Sequence, residues 1–235
     1  MKVGLVSLLV SVLLLASCGD DVPDLTASNE LSEFYFLPAD GARFEVDSVV
    51  FDPVIDGIAQ LASTTTWRFE LIDSSASDRT YTVRVRDTLG RALGTQFWLF
   101  EETEAGLSHT YDGLTYLSIA QGADRNLMWD PLQFTDPNLQ IAVAGEPVDL
   151  HKSWSAQLDS IGTYTLTTGE SVEALFVSLA SSENLLELRE VNEVYGRGLG
   201  LLERRMRILD TQQTASSAPW EEKAERGFTL TMRRL

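Results

Sequence analysis

Cys18 is the only cysteine in the chain and its strongest nucleophile. It closes the run Leu15-Ala16-Ser17-Cys18, directly behind an apolar stretch. One thiol can form no intrachain disulfide and no thiolate cluster for zinc, which leaves modification of its own sulfur. Other reactive groups are sparse. His109 and His151 are the only histidines, far apart and without ligand-like neighbours. A cysteine-free zinc site wants several histidines or carboxylates. Glu101, Glu102 and Glu104 cluster behind an apolar run. Carboxylates held ~5–9.5 Å apart across a cleft can hydrolyse glycosidic bonds. Consecutive strand residues face opposite ways, so only Glu102 and Glu104 could share a face, and the cluster reads as a solvated strand end. Gly196-Arg197-Gly198-Leu199-Gly200 has the look of a phosphate loop. It lacks the third-glycine spacing and the strand-then-helix context, and reads as a glycine turn that lets strands cross closely. No Gly-x-Ser-x-Gly elbow and no EF-hand pattern occurs. The expectation is no catalytic residue, no metal site, no cofactor and no enzyme.

The segment ahead of Cys18 has one positive charge at Lys2, then Gly4 to Leu15, then small residues, which is the layout of a secretory signal. The run is shorter than the ~20 residues of a membrane-spanning helix. It resembles a bacterial lipoprotein signal peptide, with Leu15-Ala16-Ser17-Cys18 matching the lipobox at every position. The resemblance implies that residues 1–17 are removed, that the Cys18 sulfur carries a diacylglycerol, and that the freed amino group is acylated as well. Each buried methylene stabilises attachment by ~0.8 kcal/mol, and two or more chains hold where one does not. The expected place is the outer membrane, lipid-anchored, on its periplasmic face or at the cell surface. Gly19-Asp20-Asp21 resembles the surface-export signal of Bacteroidota lipoproteins, or is simply a polar tether. Residues 18–32 are polar, contain Pro23 and show no periodicity, so a flexible tether is expected there, ahead of one domain over residues 33–235.

The net charge is −17. That argues against nucleic acid as a partner and against electrostatic adhesion to anionic lipid. Acids dominate up to Leu188, whereas bases slightly exceed them from Arg189 onward, notably Arg197, Arg204, Arg205, Arg207, Arg233 and Arg234. Either the late basic strands lie beside acidic ones in one sheet, or they form a patch that grips an anionic glycan or lipid headgroup.

Strand periodicity runs through the chain. Trp67 to Leu71 and Tyr81 to Arg86 alternate apolar and polar residues around the turn Asp73–Asp78, which predicts an antiparallel pair. Phe44, Val46, Val50 and Phe51 change phase near Asp47-Ser48, as at a bulge. Asp112-Gly113 suits a type I′ hairpin turn, and Leu89-Gly90-Arg91 reads as a turn. Gln96–Phe100 and Leu114–Ile119 are apolar on both faces, as strands covered on each side would be. Residues 121–160 are irregular and suggest a long excursion with some lid character. Residues 185–195 fit either a helix or a strand, and the surrounding strands favour the latter. Pro219 to Arg226 predicts a short helix, with Glu222 and Arg226 spaced to pair and Trp220 turned inward. The fold class is mostly β: a single curved antiparallel sheet, open-barrel or sandwich-like, with this helix packed on one face.

Three pieces carry a family resemblance: Phe34-Tyr35-Phe36-Leu37-Pro38 with Gly41 and Val46-Asp47-Ser48; Glu193 to Leu201; and Pro219 to Phe228. They resemble a group of largely uncharacterised Bacteroidota lipoproteins. The resemblance implies a curved antiparallel sheet and no transferable activity. The expected function is a lipid-anchored envelope protein that binds or scaffolds, with an envelope protein or a glycan as partner. One alternative is a carrier or sensor of a lipid or other apolar ligand in the concave sheet, and another is a glycan-active enzyme. Trp129 and Trp154, from the irregular middle, could stack on sugars or line an apolar groove if they lie exposed.

Overall fold

The computed structural model describes residues 28–54, 57–214 and 217–235. Cys18, the leader and most of the expected tether lie outside them. Alternation of apolar and polar residues yields β1 (Ala42–Val54), β2 (Gly57–Ser74), β3 (Asp78–Asp87), β4 (Ala92–Thr103), β5 (Gly106–Tyr111) and β6 (Leu114–Ala120). Next come β7 (Met128–Trp129), β8 (Gln140–Val143), β9 (Glu146–Asp149) and β10 (Ala156–Thr165). The last strands are β11 (Ser171–Glu183), β12 (Glu187–Gly196), β13 (Gly200–Asp210) and β14 (Arg226–Arg234). Two helices complete the set, α1 (Ser28–Tyr35) and α2 (Trp220–Lys223). Twelve strands form one antiparallel sheet in the order β6-β5-β4-β3-β2-β1-β14-β13-β12-β11-β10-β7, with β8-β9 a separate hairpin.

The sheet curls into a nearly closed barrel. Its two ends meet through a strap that follows β7. Leu117 N–H donates to the Pro131 carbonyl at 2.9 Å, and Thr135 Oγ1 donates to the Thr115 carbonyl at 2.7 Å. The Trp129 indole donates to the Leu117 carbonyl at 3.0 Å. The strap satisfies backbone groups that an edge strand would leave open. It also explains why Tyr116 to Ala120 are all buried. The excursion therefore acts as fixed closure, because Val143, Val148 and Leu150 join the main core. In β4 only the inner face is covered, contrary to expectation. Phe97 is 62% exposed.

The turn signals hold. β2 and β3 pair antiparallel around Asp73–Asp78. Asp112 and Gly113 take φ of 50° and 76°, the positive angles of a type I′ turn. Residues 187–196 are a strand. The phase change in β1 has a different cause from the expected bulge: its register runs unbroken against both neighbours. Phe44 and Val46 face the barrel core, while Phe51 faces a second cluster with Leu209 and Trp220 outside it. One straight strand thus buries opposite faces at its two ends. Beyond the barrel, Gly57–Thr64 of β2 pair with β1, but β3 joins only from Thr65. The distal part of this hairpin is an arm with an open outer edge.

α2 is a single turn, shorter than expected. By Ala224 the backbone is already extended, and Arg226 belongs to β14 opposite Asp210. The expected Glu222–Arg226 pair is replaced by Arg226–Asp210 at 3.1 Å. A helical i,i+4 pair stabilises by only ~0.3–0.5 kcal/mol, too little to hold residues away from a strand ladder. Trp220 does turn inward, and its indole donates to Glu183 at 2.7 Å.

The N-terminal helix begins inside the stretch expected to be tether. Leu31, Phe34 and Tyr35 lie at helical spacing and are at most 2% exposed. They enter the barrel, and the chain leaving them is pinned where the Leu37 carbonyl accepts from Tyr81 Oη at 2.7 Å.

Candidate functional site

The barrel interior brings together polar groups that are scattered in sequence. Arg204 on β13 and His109 on β5 come from opposite walls and meet across the lumen, Nη2 to Nε2. Arg204 Nε also donates to Glu193 Oε1 at 2.6 Å, and Tyr195 Oη donates to Glu193 Oε2. Since guanidinium only donates, His109 Nε2 is the acceptor. Its Nδ1–H therefore donates to Ser118 Oγ at 2.7 Å. Tyr35 of α1 reaches the same spot, 3.4 Å from both His109 Nδ1 and Ser118 Oγ. Glu193 is 0% and His109 1% exposed.

Aromatic rings wall in this cluster. Trp98 and Tyr111 are directly paired across β4 and β5 and stack at 4.4 Å, and His109 lies parallel to Tyr111 at 5.7 Å. Arg204 sits 5.3 Å from the Trp98 and Tyr111 ring centroids. Such ring pairs add ~0.5–1.5 kcal/mol each beyond their burial. The arrangement holds a fixed buried charge, with Glu193 and His109 at most 1% exposed and Arg204 5%.

Both histidines are neutral in the fold. Burial pushes His109 well below its ordinary 6.5, and the Arg204 guanidinium adds to the shift. Burial also lowers His151, against its bond to the Asp136 carbonyl. The unfolded chain takes up these protons near pH 6.5 while the folded chain does not. Stability is therefore intact above about pH 6.5 and falls as the pH drops below it. The slope should approach ~1.4 kcal/mol per pH unit from His109, with His151 adding in the same direction. Urea midpoints taken from about pH 7.5 down to about 5.5 check this, and a flat profile would contradict it.

Candidates from the sequence separate in space. Trp129 is 8% exposed, with its N–H taken by Leu117, so it offers no free face for a sugar. Trp154 is half-buried, stacked 5.6 Å from Tyr116, and donates to the Leu150 carbonyl. Tyr116 links the two histidines: it stacks on His109 and donates to His151 Nε2 at 2.9 Å. Glu104 lies in the turn beyond β4, so it shares no strand face with Glu102. Among the described residues no cluster of His, Asp or Glu suits a metal ion. The glycine run is the β12–β13 turn, and it receives α1 through Gly198 N–H to the Glu33 carbonyl at 2.7 Å. The late arginines mostly have carboxylate partners: Arg197 with Glu33 and Glu173, Arg205 with Glu203, Arg207 with Glu190 and Glu221.

A surface depression of about 690 Å³ lies at the barrel rim. Its lining includes Arg43, Arg68, Arg84, Arg86 and Arg234, against Asp40 and Asp87. Alternation puts Arg43, Arg68 and Arg84 on the outer wall, since Phe44, Phe69 and Val83 beside them point into the core. Register places Arg43 opposite Arg68, and Arg68 opposite Arg84. Glu70 bridges Arg68 and Arg84 at 3.2 and 2.9 Å, while Asp87 is taken by Arg91. Among the described residues no carboxylate pairs with Arg43 or Arg86. Burial lowers the pKa of Arg234, with Asp40 opposing. The sequence reading missed this row. The Asp73–Asp78 turn alone would set Arg68 opposite Val85, and the irregularity between Leu71 and Asp73 is what aligns Arg68 with Arg84.

No protein-family model matches the chain, and no curated protein matches it. Two solved structures are similar to it. One, from Bacteroides fragilis, is described as an exported protein with a YmcC-like fold; it is 10% identical, with a TM-score of 0.37, and the match covers 86% of this chain and 97% of that one. The other, described as a lipoprotein from Parabacteroides distasonis, is 9% identical with a TM-score of 0.35 over the same shares.

Proposed function

We propose that this chain is a lipid-anchored, non-enzymatic binding protein of the cell envelope, held at the outer membrane by acylated Cys18 and engaging its ligand on the outer wall of the barrel. The observation that carries this reading is the solid interior. Tyr35, Phe44, Phe69, Tyr81, Trp98 and Phe100 fill the space where a carrier would keep its cargo, each at most 1% exposed. A carrier needs an apolar cavity of at least several hundred Å³. An enzyme needs titratable groups converging on an accessible cleft, whereas here they converge in the packed interior, each at most 5% exposed. That leaves the exterior as the working surface. The acidic chain speaks against nucleic acid as its partner.

Metabolic labelling with palmitate tests the anchor. Wild-type protein should carry label and partition with membranes, while Cys18→Ala should carry none. Unlabelled wild-type protein with an intact leader would end the reading. Protease shaving of whole cells then distinguishes the cell surface from the periplasmic face.

A further inference from the structure

We propose that the groove at the barrel rim binds a phosphate-bearing anion, with Arg43, Arg68 and Arg84 as the contacting row. The proposal rests on the binding reading above and names its ligand class.

Five of the chain's 18 basic residues line this groove, in a protein with 35 acidic ones. Three of them stand directly opposite one another on adjacent strands. Like charges so placed destabilise a sheet. Several arginines elsewhere are answered by carboxylates, as at Arg197, Arg205 and Arg207. Here a single carboxylate, Glu70, is shared between two arginines, and Arg43 has none among the described residues. A row of three permanent cations with one carboxylate between them is what an anion site looks like without its anion.

The spacing selects the ligand. Adjacent strands lie ~4.8 Å apart, so the three arginine stems span ~10 Å. A phosphate group has three strong acceptor oxygens and can take bonds from guanidinia on neighbouring strands at once. A carboxylate has only two such oxygens and reaches two guanidinia at most, as Glu70 does with Arg68 and Arg84. The groove volume suits a headgroup-sized molecule, and the net negative charge repels a long polyanion. The phosphate could belong to a soluble phosphorylated compound or to a lipid headgroup.

The test uses the full chain reconstituted in phosphatidylcholine vesicles, with its thermal midpoint followed by tryptophan fluorescence. Saturating inorganic pyrophosphate should raise the midpoint by roughly 5 °C or more. Vesicles containing phosphatidylglycerol should raise it without pyrophosphate if the source is lipid. Either rise should vanish in Arg43→Gln/Arg84→Gln and persist in Arg207→Gln. Without ligand the double variant should melt at or above wild type, because opposed like charges are gone. The assignment is overturned if neither ligand shifts the wild type, if the double variant keeps the shift, or if that variant melts below wild type unliganded. Palmitate labelling reads the anchor independently, so failure of one reading is distinguishable from failure of the other.

Discussion

Arg204→Leu is expected to destabilise the protein by roughly 3–5 kcal/mol, enough to unfold much of a marginal domain. The loss comes less from the missing contact than from what it strands. Glu193 is fully buried, and its carboxylate is paired with the Arg204 guanidinium beside it. Without that cation the carboxylate keeps only the Tyr195 hydroxyl, and His109 loses the donor to its Nε2. An unpaired charge away from water costs several kcal/mol, whereas removing both partners removes the debt. The double variant Glu193→Leu/Arg204→Met should therefore recover most of the stability lost by the single change. Urea unfolding of the three proteins measures this. Equal destabilisation by single and double changes would mean that the pair contributes packing alone.

Gly200→Ala is expected to cost about 2–5 kcal/mol, from backbone strain and overpacking together. Gly200 sits at φ of 69°, and a Cβ there would stand 2.7 Å from Leu37 N and 2.8 Å from Phe36 C. Those atoms are backbone, and they belong to the segment that seats α1 in the barrel. The clash would push on the helix that carries Tyr35 into the core. Gly198→Ala is the control: its φ is the same 69°, but nothing lies within 4 Å of the added methyl. That change should cost only ~1–2 kcal/mol, the price of a left-handed alanine. Thermal midpoints of the two variants separate conformational strain from steric eviction. Matching midpoints would show that the glycine run does not hold the helix in place.

What could be read from sequence was local. Alternation at Trp67–Leu71 and Tyr81–Arg86 fixed two strands and the turn between them, and Asp112-Gly113 fixed a hairpin. α1 escaped because its apolar positions, Leu31, Phe34 and Tyr35, make only two turns and run straight into Phe36-Leu37. That continuous apolar run imitates a strand. Closure of the barrel depends on Trp129 and Thr135 meeting β6, a long-range match with no sequence period. The buried cluster did leave a trace. Arg204 shares strand parity with Met206 and Ile208, so it stands on an apolar face where a cation must find a partner. Its partners could not be named, since Glu193 and His109 reach it only once the sheet has curled. The tryptophans misled for a related reason: an irregular segment was expected to be loose, yet it lies packed as the seam.

The β1–β2 arm has a consequence for how many copies one cell can carry. Along Gly57–Thr64 one row of backbone amides and carbonyls has no ladder partner among the described residues, and Leu61 is 54% exposed there. On the proposed Cys18 anchor, molecules would wander in a plane and collide far more often than the same number free in a volume. Unsheathed strands that meet repeatedly can zip into intermolecular sheet. The polar Gln60, Ser63 and Thr64 on this stretch weaken that pairing without abolishing it. Overproduction should therefore drive this protein into clusters at a lower copy number than a barrel whose rim strands are fully sheathed.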